Sequence, residues 1–298
     1  MNDLYNKQLL ERILANDQLK DYVLQGILNK NIEKSLQARP DLVSVADDLD
    51  EAIESYKNFG KITGLSTGYA GLNHLTKGIR GGEIIVLSAK TSVGKTSLAL
   101  NVASNMAKNG HPVLFLTFEM THKEIRTRYI HITGGLVEGQ PTDDFFKVGN
   151  LTVLQKDEQM SWIDIPQLIE KAKKEIGAEL VVIDHLHYFS REIKNANEEI
   201  GVITKAFKTA SIKNDIPILL IAHTRKTDKG EEAGSEDVRG SSYITQDADM
   251  VLILNRDKDD PNIIKCTITK NRNAGIDWNN NETHFKMDAT KMTEIEQW

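Results

Sequence analysis

The segment 84–108 constrains this chain more than any other. The apolar run Ile84-Ile85-Val86-Leu87 leads into Ser88-Ala89-Lys90-Thr91-Ser92-Val93-Gly94-Lys95-Thr96, and no glycine or proline follows until Gly110. A short β-type run, a small-residue loop and a long stretch of helix formers read as strand, loop and helix. In that context the loop is a phosphate cradle: its N–H groups converge on an anion and the positive end of the helix dipole backs them. Gly94 lets the backbone approach closely, Lys95 neutralises phosphate charge and the Thr96 hydroxyl can ligate Mg²⁺. The expected nucleotide-binding set is Ala89, Ser92, Val93, Gly94, Lys95, Thr96 and Ser97, with ATP or another nucleoside triphosphate and Mg²⁺ as cofactors. The generic pattern has glycine where Ala89 stands.

From residue 83 onward, apolar runs recur at 84–88, 113–118, 151–154, 180–183, 216–222, 250–254 and 263–268, and helical segments fit between the first five at 95–108, 164–176 and 197–214. Alternation of this kind predicts an α/β fold with a mostly parallel central sheet covered by helices. The last two runs lie close together, which predicts an antiparallel extension at one edge. Before this domain, apolar positions recur at helical spacing through 1–34. Arg39-Pro40 interrupts them, because proline disfavours helix in the residue before it. Val45, Leu49, Ala52, Ile53 and Tyr56 then form one stripe of an amphipathic helix. Seven glycines between Gly60 and Gly82 mark turns and a boundary. The expected organisation is a short helical segment at 1–40, a linker helix at 41–60 and the α/β domain at 61–298.

Composition narrows the function classes. The single cysteine, Cys266, excludes an intrachain disulfide framework and a cysteine-rich metal site, and suits a reducing, cytoplasmic setting. No apolar run reaches the roughly 18 residues of a membrane span, so no membrane partner is expected. The net charge is −6, of which residues 1–60 carry −4 (7 Lys/Arg against 11 Asp/Glu). The rest is nearly neutral, so nucleic acid would be held by local basic loops rather than by a global field.

Two acids complete the phosphate chemistry. Leu180-Val181-Val182-Ile183-Asp184 is an apolar strand ending in the carboxylate that such folds use to hold Mg²⁺. Glu119 closes Phe115-Leu116-Thr117-Phe118-Glu119-Met120. On a strand beside the phosphate-loop strand it can polarise an attacking water. It can equally serve as a capping or first-turn acid for a helix beginning near Thr121. The residues alone leave both open.

Ala89 to Thr96, Phe118-Glu119-Met120, Val182-Ile183-Asp184, Gln246-Asp247-Ala248-Asp249 and Lys270-Asn271-Arg272-Asn273 resemble, in order and spacing, the motifs of DnaB-type replicative helicases. The resemblance covers about residues 45–298. It implies a RecA-like motor that assembles into a ring, a hexamer in that family, hydrolyses ATP, translocates on single-stranded DNA and unwinds duplexes. Members of that family commonly carry alanine at the position of Ala89. The resemblance implies that Glu119 is the catalytic glutamate, that His223 in Ile221-Ala222-His223-Thr224-Arg225 is the γ-phosphate sensor, and that Lys270 and Arg272 form a basic finger reaching the adjacent subunit's nucleotide. Histidine rather than glutamine at 223 is the phage-like variant.

The same resemblance places the DNA-contacting loop at 224–240, with Arg225, Lys226 and Lys229 as phosphate ligands. A second basic loop at 189–198 offers Arg191 and Lys194. Implied partners are single-stranded DNA, further copies of the chain, and a primase, loader or polymerase. The family's large N-terminal domain is not expected here, since about 40 residues precede the linker helix. Two other functions share the motifs: a filament-forming recombination ATPase of the same fold, and an ATP-dependent switch or assembly factor acting on a replicative helicase.

Overall fold

The apolar runs become strands buried on both faces. In a computed structural model of the chain, all six residues of β1 (Ile84–Ala89) are buried, as are all five of β2 (Val113–Thr117) and all five of β4 (Leu180–Asp184). Continuous rather than alternating hydrophobicity is what a parallel sheet covered by helices requires. The structure describes Lys57 and residues 63–295, except 135, 138–139, 142–149, 156–159, 191–195, 225–231, 239–240 and 274; at 136–137, 140–141, 190, 196–198 and 241–242 only the backbone is described. The helices expected at 1–34 and 45–56, and the boundaries drawn after 40 and 60, lie outside the described residues.

Apart from a separate two-residue pair, Leu136–Val137 with Gln140–Pro141, the remaining strands are β3 (Leu151–Gln155), β5 (Ile218–His223), β6 (Met250–Arg256), β7 (Ile263–Asn271), β8 (Glu282–Asp288) and β9 (Lys291–Ile295). Strands β1 to β9 form one nine-stranded sheet in the order β9-β8-β7-β6-β1-β5-β4-β2-β3. The six strands from β6 to β3 run parallel; β7, β8 and β9 are antiparallel additions. The expected antiparallel extension is therefore present at β6–β7. It continues for two strands that the apolar runs did not reveal. β8 alternates, burying Thr283 and Phe285 between more exposed neighbours, and such half-covered strands carry a weaker signal.

One face of the sheet packs Ile85, Leu87, Phe115, Val182, Ile221 and Leu254 against Leu98, Val102 and Met106 of α2 (Lys95–Lys108). The other face packs Ile84, Val86, Val181, Ile183, Leu220 and Val251 against Ile169 of α4 (Ile165–Ile176), Ile203 and Phe207 of α5 (Ala196–Asn214) and Ile244 of α6 (Ser241–Asp247). Leucine and isoleucine burial on this scale, at about 25 cal/mol per Å², is what offsets the chain entropy of a sheet this size. α3 (His122–Thr133) starts on a capping box, Thr121 Oγ1 accepting from the Glu124 N–H while the Glu124 carboxylate accepts from the Thr121 N–H. Thr121 and Glu124 therefore supply the cap that Glu119 was weighed for, which leaves Glu119 free of that role.

The glycine-rich stretch 60–82, read as turns, contains a short helix, α1 (Ala70–Thr76). Tyr69 at its N-cap provides no side-chain acceptor. The acceptor comes instead from β9: the carboxylate of Glu294 takes the N–H groups of Gly71 and Leu72, each at 2.9 Å. A helix capped from more than two hundred residues away leaves no local signature of its start.

Candidate functional site

The phosphate loop spans the end of β1 and the start of α2. Ala89 ends β1 in regular strand pairing with His223 on one side and Leu254 on the other, so this position has no need of glycine. The backbone turns further on, at Ser92 (φ 65°) and Gly94 (φ 124°). A residue with a Cβ is strained at the latter angle, and the Cβ would also sit 2.6 Å from the Met292 methyl, so Gly94 is required by conformation. The loop is braced from β6, where Arg256 Nη2 donates to the Ser92 carbonyl at 2.8 Å.

Lys95, the first residue of α2, is buried and folds back onto the loop, its ammonium donating to the carbonyls of Ala89 (3.0 Å) and Lys90 (3.2 Å). Burial lowers its pKa, opposed by the charges of Asp184 and Glu119. Thr96 Oγ1 donates to Asp184 Oδ2 at 2.8 Å. Asp184 is 1% exposed, and burial raises its pKa to about 6, with the Thr96 hydrogen bond lowering it and Glu119 raising it further. A carboxylate so placed, beside a hydroxyl and a second acid, favours a cation. The hard oxygen donors Thr96 and Asp184 fit Mg²⁺, and the folded-back ammonium with the positive-φ loop fits a polyphosphate.

Sheet pairing carries the other groups to the same place. Thr117 pairs with Asp184 across β2 and β4, so Glu119 and His185, just beyond, emerge side by side. Glu119 Oε1 lies 3.2 Å from His185 Nδ1 and 3.8 Å from His223 Nε2. The sequence expectation put Glu119 on a strand next to the phosphate-loop strand. The structure corrects this: β5 and β4 stand between β1 and β2. Glu119 still converges on the site because all four strands are parallel and end together, the place where open α/β sheets present ligands.

Three residues here escaped the sequence reading. His185 and His187, in Asp184-His185-Leu186-His187, are buried, and His187 Nδ1 accepts the backbone N–H of His223 at 3.3 Å. A polar pair directly after an apolar strand was a legible signal. Arg128, on α3, donates to Ser97 Oγ at 3.5 Å and lies close enough to Asp184 to lower its pKa; nothing local marks it.

Lys270 and Arg272 lie elsewhere. Lys270 pairs with Val251, level with Val86, and Asn271 pairs with Met250, level with Ile85. At about 3.3 Å per residue, that sets Lys270 roughly 10 Å behind Ala89 and Arg272 more than 13 Å behind it. Their heads are anchored at that rear end. Lys270 Nζ donates to the carbonyls of Thr245, Gln246 and Ala248 at the close of α6. Arg272 donates to Asp249 Oδ1 (3.4 Å) and the Gln246 carbonyl (2.9 Å). Neither reaches the phosphate loop of its own chain. Arg225, Lys226, Lys229, Arg191 and Lys194 lie outside the described residues.

Strand, phosphate loop and helix, with an aspartate and a glutamate on the next strands but one and but two, define a phosphate-loop protein of the RecA-like kind. Residues 64–294 match the family model described as DnaB-like helicase C terminal domain, and the chain belongs to that family. It is 28% identical over 253 residues to the replicative DNA helicase DnaB of Treponema pallidum, covering 79% of this chain and 58% of that protein. Over 263 residues it is 28% identical to the DnaB of Geobacillus stearothermophilus, covering 76% and 58%. The chain thus spans about three-fifths of the length of these relatives. Among solved structures, the ATPase domain of G40P superposes with a TM-score of 0.71 at 23% identity, covering 86% of this chain and all of that one. A DnaB-like replicative helicase, described with its interactions with primase, gives 0.70 at 21%, covering 98% and 74%. These two share the fold. Among the described residues, no helix is long and apolar enough to cross a membrane.

Proposed function

We propose that this chain is the motor of a replicative DNA helicase, hydrolysing ATP with Mg²⁺ to move a ring of identical subunits along single-stranded DNA. The observation that carries this is the division of labour across the sheet. Lys95, Thr96, Asp184 and Glu119 meet at the strands' carboxyl ends, while Lys270 and Arg272 sit behind, beyond reach of their own loop. Within the family to which the chain belongs, that arrangement makes sense when one copy's finger serves the next copy's site.

In this reading Lys95 Nζ exchanges the carbonyls of Ala89 and Lys90 for phosphate oxygens. Mg²⁺ held at Thr96 and Asp184 would neutralise phosphate charge. Glu119 accepts the proton of the attacking water, and His223 donates from Nε2 towards the γ-phosphate. Lys270 and Arg272 of the neighbouring copy stabilise charge developing in the transition state. The basic segments follow β5 and β4 in sequence, so in this reading the DNA contacts and the nucleotide site draw on the same two strands. Arg225, Lys226, Lys229, Arg191 and Lys194 are the proposed DNA phosphate ligands. The segments 1–40 and 41–60 are proposed as a short helical lead and a linker that docks on the next copy. A primase, loader or polymerase contact and a cytoplasmic setting complete the reading.

The test is steady-state ATP hydrolysis with and without single-stranded DNA, with Lys95→Ala as the blank. Strong stimulation is expected; a DNA-independent rate would shift the function to a switch or assembly factor. Mixing Arg272→Ala with Lys95→Ala subunits should restore part of the activity that each lacks alone, and no recovery would refute the shared site. Lys229→Ala should weaken DNA binding and reduce the slope of log affinity against log salt by about 1.

A further inference from the structure

Glu119, His185 and His223 come from the ends of three adjacent strands, β2, β4 and β5, and one donor atom from each lies within 4.8 Å of the other two. Glu119 Oε1 is 3.2 Å from His185 Nδ1 and 3.8 Å from His223 Nε2. The two imidazole rings meet edge to face with centroids 4.4 Å apart. A tetrahedral Zn²⁺ with ligands at about 2.0–2.2 Å sets neighbouring donors roughly 3.3 Å apart, so the donors need draw together by no more than about 1.5 Å to share one ion. We propose that Glu119, His185 and His223 form a binding site for a first-row transition-metal ion of the Zn²⁺ class, distinct in chemistry from the oxygen donors Thr96 and Asp184.

Two imidazole nitrogens and one carboxylate oxygen suit Zn²⁺ and Co²⁺ and offer little to Mg²⁺, which prefers oxygen in octahedral array. The framework is held before any ion arrives. His223 is fixed by the pairing of β5 with β1 and by its N–H to His187 Nδ1, and the His185 side chain is 3% exposed. Glu119, at 42%, faces solvent and leaves a fourth position open, the pattern of a site with three protein ligands and an exchangeable water. Binding rests on this geometry alone. Its consequence, that Zn²⁺ inhibits hydrolysis by occupying the Glu119 carboxylate and His223 Nε2, rests on the roles given to those groups above.

The test titrates the full, nucleotide-free chain with Co²⁺ in excess Mg²⁺. The expected result is the visible absorption of a tetrahedral cobalt centre, saturating at one ion per chain and abolished by Zn²⁺. His223→Asn and His185→Asn should each lower Co²⁺ affinity by more than about tenfold, whereas Thr96→Ala should not. Circular dichroism confirms folding of the His185 variant, and the less buried His223 provides the independent arm. Sub-stoichiometric binding, an absorption that survives His223→Asn, or one lost in Thr96→Ala would overturn the site. Stoichiometric cobalt binding together with a Zn²⁺-insensitive ATPase would uphold the site and count against the catalytic role of Glu119.

Discussion

Asp184 and Asp249 are both buried carboxylates at strand ends of one sheet, 1% and 4% exposed, and the two ends treat them oppositely. At the rear, Asp249 accepts from Lys208 Nζ at 2.6 Å, from Arg272 at 3.4 Å and from the Ile84 N–H at 2.8 Å. Neighbouring Glu83 accepts from Arg80 Nη1 at 3.2 Å and from Asn273 Nδ2 at 2.6 Å. At the front, Asp184 has the hydroxyl of Thr96, with a second acid, Glu119, close enough to raise its pKa. A buried charge costs several kcal/mol unless it is paired. The rear pairs its acids from within the chain and gains rigidity. The front gives Asp184 the charges of Lys95 and Arg128 without a direct ion pair and leaves closer pairing to a ligand, the usual trade at a binding site.

The largest test of this contrast is Glu119→Gln, which keeps the shape and removes the base. The rate of ATP hydrolysis should fall between about 10²- and 10⁴-fold with thermal stability nearly unchanged. A comparable loss of stability would mean that the front is structural after all. Asp249→Ala should do the reverse in kind, destabilising the fold by roughly 3 kcal/mol in a denaturant titration, because it strands Lys208 and the Ile84 N–H.

Asp184→Asn sharpens the contrast through pH. Burial pushes the Asp184 carboxyl up to about 6 in the folded protein, above the ordinary 3.8. Between those values the folded state binds more protons than the unfolded one, so stability falls as pH rises through that window and stays lower above it. The asparagine variant should lose this slope. At pH 7, without nucleotide, it should be more stable by roughly 1–3 kcal/mol, read as a raised Tm. A lowered Tm would show that the carboxylate is paired internally. Smallest is Glu294→Ala, which uncaps α1 and should cost about 1 kcal/mol while leaving hydrolysis untouched.

What could be read in advance divides along similar lines. The phosphate loop, Asp184 and the strands buried on both faces depend on neighbours in sequence, and the helices expected at 95–108, 164–176 and 197–214 are found within a residue of their ends. The position of Glu119's strand depends on which distant strands pair, and no local pattern encodes that order. The short helix at Ala70–Thr76 was hidden among glycines because its cap is Glu294, and β8 because one of its faces is open. His185 and His187 were legible as a polar pair directly after the apolar strand. The family was recognisable because several motifs recur in order, although any one of them alone is common.

Arg256 gives the sheet a mechanical property. Its guanidinium grips the phosphate loop at Ser92 from one end of β6; at the other end, Met250 and Val251 pair with Asn271 and Lys270. A hydrogen-bonded strand flanked by β1 and β7 is stiff along its length, and the packed interior around it compresses little. The seven residues of β6 therefore span about 20 Å from the phosphate loop to the rear of the sheet. Only between Val251 and Leu252, beside the anchorage of Lys270, does the pairing slip, so the strand ties the phosphate loop to the base of the basic finger through one built-in bend.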